Sequence, residues 1–107
     1  MTPDEAAMVA FLRAQYAQKI NDIQEIGNAM IAAADAGLSL SRETAERQAR
    51  LDLHAAEMRV RFLEETVIPY VGTAGPTGRI VSQQLRLLAA EHAGHRDYRT
   101  EWQPEGR

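Results

Sequence analysis

The sequence predicts an all-α fold: an antiparallel hairpin of two long helices, a shorter third helix and an aromatic C-terminal tail. Three observations carry this expectation. Apolar residues recur three and four positions apart over stretches much longer than a strand, the spacing that brings side chains to one helical face. Helix-stopping residues stand where such runs end, at Gly37, Pro69 and Gly94. No segment alternates apolar and polar residues long enough to make a strand, and there is no internal repeat.

The first helix is expected over residues 3–36. Thr2 can cap it, Pro3 suits its first position, and Glu5 lies three residues after Thr2 as a capping box requires. Its apolar stripe is Val9, Leu12, Tyr16, Ile23, Ile26 and Met30, with Lys19 interrupting the seven-residue rhythm of a coiled-coil seam. Gly37 is the stop, with Leu38 free to fold back. An element this long and thin needs another lying along it.

The second helix is expected over residues 42–68, capped by Ser41 after Leu40, with Glu43 in the first turn. It bears two stripes, Leu53, Ala56, Val60, Leu63 and Val67 on one face and Leu51, Ala55, Met58 and Phe62 on another. At 100° per residue the two centres lie about 140° apart. Helix two is therefore expected to be covered on both faces, by its own chain or by a partner. Pro69 ends or kinks it. The stretch VGTAGPTG at 71–78 reads as a flexible turn; without the GK[ST] of a Walker A it is not a phosphate cradle. A third helix over 77–93 carries Val81, Leu85 and Leu88, flanked by Ile80 and Leu87, and the tail spans 95–107.

A chain of 107 residues makes one domain, residues 1–107. With no cysteine it has no disulfide, thiolate nucleophile or cysteine-based zinc site, which fits a reducing interior. The acidic start MTPDEAAM lacks the basic region of a signal peptide, and no apolar run is long enough to span a bilayer, so a cytoplasmic location away from membranes is expected. The net charge of −3 gives no global footprint for nucleic acid, and only residues 72–107 lean basic, with five basic and four acidic groups. Eleven of the twelve basic residues are arginine, spread over every segment, which reads as coding bias rather than a designed surface.

The densest chemistry is EHAGHRDYRTEW at 91–102. His92 and His95 beside Glu91 and Asp97 are metal-ligand types, but Gly94 should end the helix between them, so no common element fixes their directions. Arg86, Arg96 and Arg99 near Tyr98 and Trp102 suit single-stranded nucleic acid, yet Glu91, Asp97, Glu101 and Glu105 cancel most of their field. Glu64 and Glu65 are adjacent and point apart on a helix, His54 sits in a polar arc beside Glu57 and Arg61, and no Ser, His and acid form a nucleophile's arrangement. No catalytic, cofactor-binding or metal-ligating residue is assigned. A helical turn after Gly94 would instead put Tyr98 and Trp102, four apart, on one side, able to dock on the bundle or on a partner, with His95 and Asp97 shaping the turn.

FLRA at 11–14, LRLLA at 85–89 and AGHRDYRTEWQP at 93–104 resemble a domain-of-unknown-function family of small actinobacterial and actinophage proteins. Those proteins begin with an FLRA-like helix and end in a tail of the form A-x-H-x-D-Y-x-x-E-W-x-P. Ala93, His95, Asp97, Tyr98, Glu101, Trp102 and Pro104 match that tail. The family usually has proline where this chain has Glu91 and tyrosine where it has His92, so a His92–His95 metal pair is not a family feature. The resemblance covers about a third of the chain and implies no activity.

The function expected from these readings is that of a non-enzymatic helical protein acting through protein–protein interaction. Leu51, Ala55, Met58 and Phe62 are the expected self-association face of a homodimer, and no cofactor is expected. A small nucleic-acid-binding regulator using the tail arginines is the alternative.

Overall fold

A computed structural model describes residues 1–38 and 40–106. Among them there are three α-helices and no strand: α1 (Pro3–Asp35), α2 (Arg42–Phe62) and α3 (Pro76–Ala90). Arg107, the last residue of the expected tail, lies outside the described residues. The chain divides into two compact units, Met1–Gln15 with Arg61–Arg107, and Tyr16–Val60.

The Tyr16–Val60 unit is a helical hairpin made by the later part of α1 and most of α2. Its turn follows from local chemistry. Gly37 takes φ +76°, its N–H donates to the Ala34 carbonyl at 3.0 Å, and the Leu38 N–H donates to the Ala33 carbonyl at 2.9 Å. These two bonds satisfy carbonyls that the helix end would leave orphaned. Beyond the turn Ser41 Oγ accepts from the Thr44 N–H at 3.3 Å, and Arg42 bridges back to Asp35 at 2.8 Å. Tyr16, Gly27 and Ala45 are buried, while Ile23, Met30, Leu53, Ala56 and Val60 are half-buried. Buried Gly27 lets the Ala49 side chain approach closely. The expected stripe fails at one place, because Ile26 is 58% exposed. Gly27, four residues after Ile23, takes the inward position, and Ile26 turns about 100° away from it.

The second unit begins with the capping box. Thr2 N–H donates to Glu5 Oε1 at 2.9 Å and Glu5 N–H donates to Thr2 Oγ1 at 3.1 Å. Met8, Val9, Phe11 and Leu12 of α1 are buried, as are Leu63, Val67, Val81, Leu85, Ala89 and Trp102.

Four boundaries, spread over all three helices, differ from expectation. Helix one ends at Asp35 rather than 36. The second helix does not stay α-helical to 68: it passes into a wide π-type turn (Leu63–Val67) and a 3₁₀ turn (Ile68–Tyr70). The Ile68 N–H donates to the carbonyl of Leu63, five residues back. Pro69 has no N–H to continue the ladder and its ring crowds the preceding turn, so a widened turn relieves it. The third helix starts at Pro76 and stops at Ala90, short of the expected 93, because His92, Ala93 and His95 each donate three residues back, to Ala89, Ala90 and His92. These tighter turns, not Gly94, end the helix, and Gly94 does not have a positive φ.

The 71–78 stretch is more constrained than a flexible turn. Gly75 takes φ +80°, and buried Gly78 lies so close to the Thr73 carbonyl that a Cβ there would overlap its oxygen. Gly78→Ala is expected to destabilise the chain by roughly 1 to 3 kcal/mol, despite alanine's better helix propensity, because backbone must move to admit the methyl; chemical denaturation measures it.

Arg13 of α1 and Glu64 form a bidentate pair, Nε to Oε1 at 2.7 Å and Nη2 to Oε2 at 2.8 Å. The hydrogen bond from Arg13 holds the Glu64 carboxyl below its usual range, and the same bond raises Arg13. A depressed carboxyl contributes stability that is present above its unfolded pKa of about 4.3 and is lost as pH falls through the lower folded value. Both side chains are well exposed, so screening keeps the pair's contribution under about 1 kcal/mol. Glu64→Gln is thus expected to melt slightly lower than the parent at pH 7. The difference should vanish in acid below the folded Glu64 pKa.

Candidate functional site

The residues with the most chemistry converge on Phe11. Its ring centroid lies 5.3 Å from Trp102, 5.6 Å from His95, 6.1 Å from His92 and 6.2 Å from Tyr98. The two imidazoles meet it edge to face, at 76° and 72°, which sets their positive edges against its negative face or the reverse. Tyr98 in turn meets Trp102 edge to face at 5.7 Å.

The route by which the tail reaches this position is not the helical turn expected from the four-residue spacing of Tyr98 and Trp102. Past Ala90 the backbone descends through successive turns, and the Tyr98 N–H donates to the His95 carbonyl at 3.0 Å. His95 Nδ1 accepts from the Asp97 N–H at 3.0 Å, with the Asp97 carboxylate 3.8 Å from the same nitrogen. Arg99 is extended, with φ −106° and ψ 135°, and a 3₁₀ turn (Thr100–Trp102) follows. The rings meet through this turn and extended link, because packing on Phe11 outweighs a short isolated helix that costs more to nucleate than it returns. Gln103, at φ −53° and ψ 138°, has the extended backbone that a residue before proline prefers.

Trp102 is 2% exposed and Tyr98 half-buried. Arg99 holds its guanidinium carbon 5.3 Å from the Trp102 ring centroid, within cation–π range. The Trp102 Nε1–H is buried and has no acceptor among the described residues. Hydrogen bonds to the tail come instead from α3. Arg86 Nη1 donates to the Glu101 carbonyl at 2.9 Å and reaches the Gln103 carbonyl at 3.5 Å. The Gln83 side chain pairs with both main-chain groups of Glu105: its Oε1 accepts from the N–H at 3.0 Å and its Nε2 donates to the carbonyl at 3.3 Å.

His95, Asp97, Tyr98 and Trp102 are therefore brought together around Phe11. Leu51, Ala55, Met58 and Phe62 are not part of this arrangement; all four are exposed along α2. Sequence reasoning missed Phe11 as the centre and Gln83 as a main-chain reader. The available signal was the spacing of Gln83 and Arg86, three apart beside the buried Val81 and Leu85. Among the described residues no cluster of three or more His, Asp or Glu is placed to hold a metal, and no helix is long and apolar enough to cross a membrane.

The unpartnered indole N–H separates two substitutions. Trp102→Ala empties a closed site and is expected to cost about 3 kcal/mol. Trp102→Phe loses ring volume worth on the order of 1 kcal/mol but removes a buried donor whose desolvation costs about 1 to 3 kcal/mol. It should melt within a few degrees of the parent or above it, which calorimetry can measure. No protein-family model matches this chain, no curated protein does, and no solved structure does.

Proposed function

We propose that this chain is a non-enzymatic helical interaction protein that forms a homodimer through α2. The observation that carries the reading is the exposed apolar stripe: Leu51 is 58% and Phe62 46% exposed, with Ala55 and Met58 between them. Residues of the other stripe, Leu53, Ala56 and Val60, are half-buried. An apolar row on the uncovered face of a helix is the seam that a second copy covers, and methionine and phenylalanine adapt readily to a self-complementary surface. Four side chains make a narrow interface, so the association is weak and concentration-dependent.

A catalytic role has little to use. Arg13 is paired with Glu64 and Arg61 with Glu65, and the tail imidazoles lie against Phe11. Arg86 is engaged with main-chain carbonyls and Arg99 with the Trp102 ring, which leaves the nucleic-acid alternative fewer free cations than the sequence offers.

Sedimentation equilibrium tests the proposal. The parent chain should exceed its 11.9 kDa monomer mass as concentration rises. Met58→Glu combined with Phe62→Glu should hold it at monomer mass with helical circular dichroism unchanged. A parent chain that stays monomeric up to about 100 μM would overturn the homodimer, since weaker pairing leaves little complex at cellular concentrations.

A further inference from the structure

The segment Arg99–Glu105 is held as a bound peptide would be, and we propose that the surface beneath it is a peptide-binding groove which the chain's own tail occupies as a releasable internal ligand. The partner it fits is a peptide segment of another protein that takes the same short turn around a phenylalanine anchor. This proposal does not rest on the α2 face.

Two independent observations carry it. The first is the division of labour among the contacts. Arg86 and Gln83 bond only main-chain groups of Glu101, Gln103 and Glu105, contacts that do not depend on which side chains those residues carry. One side chain of the segment is buried, that of Trp102 against Phe11. A site that reads backbone with fixed polar side chains and selects one anchor in an apolar pocket is a general mode of peptide recognition. The groove spans two elements, with Phe11 on α1 and Gln83 and Arg86 on α3, and Tyr98, just before the segment, adds a wall 5.7 Å from the Trp102 ring.

The second observation is the mismatch between pocket and anchor. The Trp102 Nε1–H is buried with no acceptor among the described residues, so the internal occupant leaves a donor unsatisfied that a phenylalanine ring would not bring. The tail is thus bound less tightly than the groove allows, as an occupant that must be displaced has to be. Tyrosine would bring its own buried hydroxyl and is disfavoured for the same reason. Between α3 and the segment lies a run of short-range turns from Glu91 to Asp97, which can rearrange without disturbing α3.

Trp102 is the only tryptophan, so its emission reports on the tail alone. A synthetic peptide of residues 99–106 carrying Trp102→Phe contains no tryptophan. Titrated into the full unaltered chain, it is expected to red-shift Trp102 emission saturably as the tail leaves. The same peptide, fluorescently labelled, should bind the full Trp102→Ala chain more tightly. Docking worth what Trp102→Ala is expected to cost leaves the tail undocked less than about one time in a hundred, so removing that competition gains on the order of 100-fold in apparent affinity. Adding Gln83→Ala and Arg86→Ala should lose that binding, and a peptide with Trp102→Ala should bind neither chain. Unchanged Trp102 emission at millimolar peptide, with flat anisotropy on a Trp102→Ala chain that keeps its helical signal, would overturn the groove. So would equal binding after loss of Gln83 and Arg86. If the Trp102→Ala chain fails to fold, displacement from the unaltered chain decides alone.

Discussion

The contact between Phe11 and Trp102 joins the two ends of the chain. Phe11 lies in the first turns of α1 and Trp102 near the last described residue, and the two rings meet at 5.3 Å. The unit that contains both rings holds the largest fully buried side chains. Leu12 and Met8 are sealed on the α1 side and Leu85 and Ala89 on α3, all essentially without exposure. The chain is small, and the surface it can bury is a limited share of what its unfolded form exposes. An aromatic lid from the C-terminus adds core where the helices alone supply little.

Much of this was legible in the amino-acid sequence, and the legible parts share a cause. The capping box at Thr2 and Glu5, the left-handed stop at Gly37 and the cap at Ser41 are set by a few neighbouring residues, so reading them needs no knowledge of the rest of the fold. The errors arise where distant residues decide. Ile26 and Gly27 are equally consistent with a three-four spacing, and only the approach of Ala49 settles which one points inward. Gly94 looks like a helix stop, yet α3 ends four residues earlier because His92 and His95 are drawn to a ring on another element. The concentration of the tail's chemistry was visible from composition; its centre was not, since Phe11 stands far away in sequence and Gln83 looks like any polar residue on a helix.

The transition after α2 shows how a local conflict is absorbed. Ile68 keeps helical angles, φ −55° and ψ −43°, directly before Pro69, where a helical backbone is disfavoured. The conflict is moved upstream into the π-type turn, which still places Leu63 and Val67 inward, so the proline changes the path of the backbone without opening the core. The Thr66 hydroxyl donates to the Phe62 carbonyl within the same stretch, a back-bond of the kind that accompanies a bent helix.

Gln83 and Arg86 have a consequence for how concentrated solutions of this chain behave. A non-helical terminal segment can present unpaired N–H and C=O groups, the template on which other chains add strands and fibrils start; in this tail the Trp102 and Gln103 N–H groups are taken up by the 3₁₀ turn. Here a side-chain amide takes both main-chain groups of Glu105, as a neighbouring strand would, and a guanidinium covers carbonyls of Glu101 and Gln103. Pro104 withholds a donor between them. The tail therefore offers little edge for β-assembly.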